Sequence, residues 1–179
     1  RVMGNGNDGS GNSRLFLSFH AFDKIRFNQV NPGGNNNEWP ASSARDWCLA
    51  FYFFSFSDVE KTALIATNKT DVPYVGKYAE FDVTLLNDDK VFFLSAEEAE
   101  SVYFPRDDDS RRIATRLVSE PVSEMPAAWW LRSPVSDTVN DVGAVDSSGQ
   151  VLDKRVDEDN IYARPAFNLN LPSVLFTSA

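Results

Sequence analysis

Two apolar segments near the C-terminus limit what this chain can become. The first is Trp129-Trp130-Leu131-Arg132-Ser133-Pro134. The second is Ala163-Arg164-Pro165-Ala166-Phe167-Asn168-Leu169-Asn170-Leu171. Runs of this length and composition read as core strands. Residues 135–162, between them, are polar and rich in Asp, Asn and Ser. The two brackets therefore predict a fixed scaffold, and the stretch between them a surface held up by it.

The rest of the composition narrows the function. A chain of 179 residues, 42% hydrophobic with fourteen Phe and four Trp, has enough apolar mass for one packed domain spanning 1–179. A net charge of −9 disfavours nucleic acid and anionic membrane surfaces as partners. No apolar run approaches the roughly 20 residues of a membrane span, so no membrane insertion is expected. The start at Arg1 instead of Met reads as a fragment of a longer protein. One cysteine, Cys48, excludes an intrachain disulfide and a Cys-cluster metal site. One histidine, His20, leaves Ser-His-Asp and multi-His zinc sites without parts.

Along the chain, Arg1–Met3 and Leu15–Phe19 flank a Gly/Asn/Ser-rich turn and predict a hairpin. Asn28–Pro40 reads as a loop. From Ser42 or Ser43 as cap, Ala44, Trp47, Cys48 and Phe51 recur at helical spacing. Ser57-Asp58-Val59-Glu60 and Ser95-Ala96-Glu97-Glu98 are capping-box patterns, opening helices to about Ala66 and Tyr103. Asn68–Leu86 reads as loop-rich, Val91–Leu94 as a short strand or turn, Asp107–Arg112 as a charged loop, and Ser119–Pro126 as irregular. Asp146-Ser147-Ser148-Gly149, between two apolar runs, predicts a β-hairpin turn. Ala163–Leu171 alternates like a strand with one buried face. The class is α+β, with short antiparallel strands at both ends and two to three short helices between.

Several stretches together resemble a bacterial domain family, the DUF6273 type. They are Arg1–Gly4, Trp39–Arg45, Phe56–Glu60, Asp89–Glu98, Trp129–Pro134, Ala163–Leu171 and the tail Ser173–Ala179, in order over nearly the whole chain. The resemblance implies a C-type-lectin-like fold related to formylglycine-generating-enzyme-like domains, common in gut Firmicutes and their phages. It also implies similarity to the variable proteins of diversity-generating retroelements, in which codons on the ligand-binding face are rewritten at adenines. The matching segment here is about Val135–Tyr162. Val135, where Gly often follows Ser-Pro, and Tyr162-Ala163, where Gly-Val often precedes Arg-Pro, depart from the pattern at the segment's edges. Adenine changes in an Asn codon do not reach Lys, Glu or Gln, so Gln150, Lys154 and Glu158 are expected to be fixed by the template or to come from other codons.

The resemblance thus implies a non-enzymatic domain that binds a protein or glycan ligand on another cell or surface. Its parent would be an extracellular or cell-surface bacterial protein, or part of a phage virion. The expected ligand-binding residues are Trp130, Val135, Asp137, Thr138, Asn140, Asp146, Ser147, Asp153, Arg155, Asp157, Asp159 and Tyr162. Tyr162 is the expected aromatic anchor.

A blander reading stands beside each of these. At least one of Trp129 and Trp130 is a core residue, and the other, facing the opposite way, is free to line the site. Arg132 and Arg164, inside apolar brackets, read as structural guanidiniums on carbonyls or carboxylates. The oxygen-rich segment could hold Ca²⁺, but it lacks EF-hand spacing and reads first as a solvated surface, with no cofactor. Cys48 reads as buried and inert, which argues against formylglycine-type oxidase chemistry. His20 reads as a strand-end residue. Two alternatives stay open: an assembly module of a surface or phage tail protein, expected to expose a patch elsewhere, on the helices, and a carboxylate-based hydrolase.

Overall fold

The computed structural model describes residues 1–34, 36–71, 73–74, 84–104, 109–119, 122–170 and 172. Their strands and helices, in chain order, are β1 (Val2–Asn5), β2 (Ser13–Leu17), α1 (Ser43–Ser55), α2 (Asp58–Ala63), β3 (Leu64–Ile65), β4 (Thr67–Asp71), β5 (Thr84–Asp89), β6 (Ala114–Ser119), β7 (Val122–Ala127), β8 (Trp129–Pro134), β9 (Asp141–Val145), β10 (Val151–Arg155) and β11 (Ala166–Asn170). The architecture is mixed α+β, mostly strands in small antiparallel sheets. One sheet has the order β1-β2-β11-β3, a second β10-β9-β8, and β4-β5 and β6-β7 pair alone. No helix among the described residues is long and apolar enough to cross a membrane.

The helices start where their caps dictate. Ser42 Oγ accepts from Arg45 N at 3.1 Å and opens α1. Ser57 and Glu60 cap each other reciprocally at α2, which stops at Ala63, short of the expected Ala66. Ser95 and Glu98 make the same exchange, and the chain then runs into a π-helical turn, Glu98–Val102. Here the capping glutamate is buried and has further partners, described below.

The brackets do form the core. Every residue of β8 is buried. Trp129 donates to Arg112 O at 3.1 Å and Trp130 to Ile25 O at 2.8 Å, so each indole is inside with its N–H satisfied. Phe27 meets Trp130, and Trp39 meets Phe93, at ring distances of 5.9 and 5.4 Å. β11 joins the N-terminal hairpin to β3, in register Phe167↔Phe16 and Leu169↔Leu64. Its more deeply buried face carries Ala166 and Asn168, while Phe167 stacks on Phe16 and meets Phe56 edge-on.

Two expected loops are strands. Part of Asn68–Leu86 pairs as β4-β5; residues 72 and 75–83 of that stretch lie outside the described residues. The inward face of β4 is Thr67, Lys69 and Asp71, so no apolar alternation marks it. Most of Ser119–Pro126 belongs to the β6-β7 hairpin, in which Pro126 sits opposite Thr115. A two-stranded ribbon has only edges, where proline is tolerated. Of the charged loop at 107–112, the described part is a 3-10 turn, Asp109–Arg112, in which Asp109 pairs with Arg112.

Candidate functional site

Segment 135–162 is held at its base by a loop whose side chains reach backbone atoms. Asn37 is 2% exposed, and its amide Nδ2 lies 3.0 Å from Val135 O, 2.8 Å from Thr138 O and 2.7 Å from Asp141 O. Asn36, equally buried, donates to Asn31 O, Gly34 O and Asn140 Oδ1, and accepts from Asn31 N. Its backbone N–H donates to Val139 O. Asn28 Nδ2 donates to Asn36 O at 3.1 Å, which ties this loop to its own start. Burying an amide is favourable only where its hydrogen bonds are made. Here, apart from the Asn36 bond to Asn140 Oδ1, the amides donate to main-chain carbonyls, which every residue carries.

The other side of the segment is braced in the same way. Ile25 N donates to Ile161 O, Asn28 N to Val156 O, and Phe22 N to Ala163 O, while Ala163 N donates to Asp23 O. Residues 22–28 thus run along 156–163 through backbone bonds.

The expected ligand-binding residues fall into three groups. Trp130 is fully buried, Val135 is 7% exposed and Tyr162 8% exposed, so all three belong to the core. Trp130 is fixed by its bond to Ile25. Val135 N donates to Asp141 O. The Tyr162 ring lies between Lys24 Nζ at 5.8 Å and the Arg116 guanidinium at 5.7 Å. Alternation across β8 did not leave either tryptophan free, because the strand is covered on both faces.

A second group is spent on local structure. Asp146 Oδ1 accepts from Ser148 N, Ser148 Oγ and Gln150 N and shapes the β9-β10 turn. Slight burial would raise its carboxyl, but these donors hold it below the usual range. Gly149, at φ +93°, closes that turn. Thr138 Oγ1 accepts from Asn140 N, and Asn140 is itself held by Asn36.

The third group faces solvent. Asp137, Ser147, Asp153, Arg155 and Asp159 are exposed and Asp157 is half-buried. Arg155 pairs with Asp157 at 3.1 Å, and Arg26 with Asp159 at 3.7 Å. Val156 N donates to Asn140 O and Asp141 sits opposite Arg155, so the 136–140 loop and the 155–160 turn lie side by side. Ser147 is at the other end of the β9-β10 hairpin, four strand residues or roughly 13 Å away. Thus Asp137, Arg155, Asp157 and Asp159 cluster, and Ser147 does not join them. Among the described residues no three His, Cys, Asp or Glu converge where an ion could be held, so the Ca²⁺ expectation gains no site.

Sequence reasoning missed Asn36, Asn37, Arg26 and Val139. The last is 49% exposed on the 136–140 loop and is an apolar contact point among acids. The run Asn-Pro-Gly-Gly-Asn-Asn-Asn signals a loop, but nothing in it separates a solvated asparagine from one buried as a clamp.

The two bracket arginines are structural. Arg132 is fully buried: Nε donates to Asp71 Oδ2 and Nη1 to Glu98 Oε2, each at 2.8 Å. Lys69 Nζ reaches Glu98 at 2.7 Å and Asp71 at 3.0 Å. Asn7 Nδ2 donates to the same Glu98 at 2.6 Å, and Asn168 bonds Asn7 and Thr67. Burial alone would push the Glu98 carboxyl up, but Arg132 and Lys69 reverse this and hold it far below the usual range. Arg164 donates to Ser18 O and Arg112 O and stacks over Trp129 at 4.7 Å. Burial, with repulsion from Arg1, lowers it to about 9. Cys48 is buried against α1's neighbours, and burial, with Asp89 adding to it, pushes its thiol up. His20 Nδ1 lies 3.1 Å from Thr115 Oγ1.

The DUF6273 sequence profile, described as a domain of unknown function, matches residues 12–171. The chain belongs to the DUF6273 family. That match spans both brackets, the Asn36–Asn37 loop and the whole of 135–162. No curated protein and no solved structure matches the chain.

Proposed function

We propose that this DUF6273 domain is a non-enzymatic binding domain of C-type-lectin-like architecture. Its ligand is a protein or glycan on another cell or surface, met by the solvent-facing residues of 135–162. The observation that carries this reading is the Asn37 amide gripping three carbonyls of the segment. A loop fixed through its main chain keeps its shape when its side chains change, which is what a diversifiable surface needs. The contact surface is therefore Asp137, Val139, Asp153, Arg155, Asp157 and Asp159, without Trp130, Val135 and Tyr162. The parent is a surface or secreted bacterial protein or a phage component, diversified by a retroelement.

The test is a library randomised at 136, 137, 139, 153 and 159, displayed and sorted first for folding, then against glycan and protein panels. Most variants should fold, and different ligands should select different sequences. A library in which most members unfold would sink the reading. Deep sequencing of the gene in its source population tests diversification separately: substitutions should concentrate in codons 135–162, at adenines of a template copy.

A second reading, as an assembly module, is favoured by one observation. The outward face of α1 exposes Phe53 and Phe54. The hydrolase alternative draws no such support. The three buried acids among the described residues, Asp71, Asp89 and Glu98, are all tied to cations.

A further inference from the structure

The outer face of α1 has the wrong composition for water. Helical spacing puts Asp46, Leu49, Ala50, Phe53 and Phe54 opposite the buried Ala44 and Cys48. Phe53 is 61% exposed and Phe54 90%. Phe22, 46% exposed, lies beside this face and not on it, packing edge-on at 5.2 Å against Phe51 on the inward side of α1. Taking ~200 Å² for a fully exposed aromatic side chain, Leu49, Phe53 and Phe54 leave roughly 400 Å² of apolar surface in water. That is within the range for the largest patch on a monomer. Two such faces, about two-thirds apolar once their polar rims are counted, together reach the roughly 1,000 Å² that a specific interface needs.

We infer that this face is a homodimer interface in which two copies of α1 cross antiparallel about Ala50. Ala50 sits at the middle of the face and is its smallest residue. It lets two helix backbones approach to the roughly 8 Å at which helices pack. Phe53 and Phe54 of each copy then cover the N-terminal half of the other helix. The charges at the two ends fit the same direction. Asp46 is exposed in the first turn. The Lys61 ammonium sits at the last turn, donating to Phe53 O at 3.0 Å, lying over the Tyr52 and Phe53 rings and held only loosely by the exposed Asp58, at 3.7 Å. An antiparallel crossing brings Asp46 towards Lys61 of the second copy, whereas a parallel one sets Asp46 against Asp46. Such a face is self-complementary and closes as a two-fold pair, with no open chain of subunits. It contains no residue of 135–162, so dimerisation doubles the binding valency without using the binding residues. The inference rests on the α1 face and stands or falls independently of ligand binding.

Sedimentation equilibrium on the whole 179-residue chain tests it, with F53E/F54E and A50C as variants. The wild type should reach twice the chain mass of 20.0 kDa as concentration rises. F53E/F54E should weaken the dimer at least about 100-fold, as expected for loss of a central aromatic anchor. Both side chains are exposed, so its circular dichroism and Tm should match wild type. A50C should cross-link under mild oxidation, because residues on a two-fold axis meet within disulfide reach. Cys48, fully buried, does not compete. A wild type that stays at 20.0 kDa overturns the inference. So does a dimer that survives F53E/F54E, or a wild-type dimer whose A50C variant fails to cross-link.

Discussion

Arg132, in β8, and Val135, the residue just past that strand's end, are three residues apart, yet their surroundings are held by opposite means. Around Arg132, apart from one bond from its guanidinium to Phe93 O, the contacts run from side chain to side chain: Asp71, Glu98, Lys69 and Asn7 each need the others to be what they are. Just past Val135 the contacts run from side chain to backbone. Asn37 and Asn36 supply the amides, and the segment supplies mostly carbonyls. The first arrangement fixes sequence as well as shape. The second fixes shape and leaves most of the segment's sequence free. The change from side-chain support to backbone support therefore falls between Ser133 and Ser136.

The sharpest way to break that contrast is Arg132→Met. It leaves two buried carboxylates sharing the single charge of Lys69, with neutral donors, among the described residues, only at Glu98. Removing one partner of a buried ionic group costs about 3–5 kcal/mol, which urea unfolding would read as a large fall in midpoint at unchanged slope. A loss under about 1 kcal/mol would mean that the node around Arg132 does not hold the fold.

The same node predicts an acid limit. Glu98 titrates lower folded than unfolded, so its contribution is present above the unfolded glutamate value of roughly 4.3. It is lost as pH falls from there through the lower folded value. Stability measured against pH should fall more steeply below about pH 4.3 in the wild type than in Glu98→Gln. Equal slopes would show that other carboxyls govern acid unfolding.

Asn37→Ala should come next in size. It removes the Asn37 amide from three carbonyls, of which Asp141 O keeps the Val135 N–H, a loss of about 2 kcal/mol. Amide exchange should accelerate locally across 135–141. Asn37→Asp sharpens the test, since a carboxylate has no proton to donate and would face those same carbonyls. It should cost more than the alanine. If Asp is tolerated, the grip on the segment is not the amide.

Much of the scaffold could be read in the residues. The brackets became β8 and β11, both capping boxes formed, and the Asp146–Gly149 turn sits where its composition put it. What escaped was polar and buried. β4 turns Thr67, Lys69 and Asp71 inward, so its pattern looks like a loop. Asn36 and Asn37 look like solvent-facing turn residues until the 135–141 loop is folded over them. Within 135–162 the placement of the side chains was not legible residue by residue. Sequence order cannot show that Tyr162 turns inward between Lys24 and Arg116, or that Ser147 lies at the far end of a hairpin from Asp137. In each case the deciding partner is distant in sequence.

The smallest expected effect carries the functional claim. Asp137, Asp153 and Asp159 point to solvent, and among the described residues the only ion pair to any of them is the long one from Arg26 to Asp159. Replacing each by Asn, Ser or Tyr should change stability by less than about 0.5 kcal/mol. The Tm should then move by only about 1–2 °C in a chain of this size. Asp159 should show the largest change of the three, because an exposed pair is worth at most about 1 kcal/mol. Thermal melts of the three single variants and their combination suffice. Additive, near-zero shifts mean that fold and surface are uncoupled here, as a surface open to diversification requires. A combined loss of several degrees would mean that 135–162 is part of the scaffold, and the contrast with Arg132 would disappear.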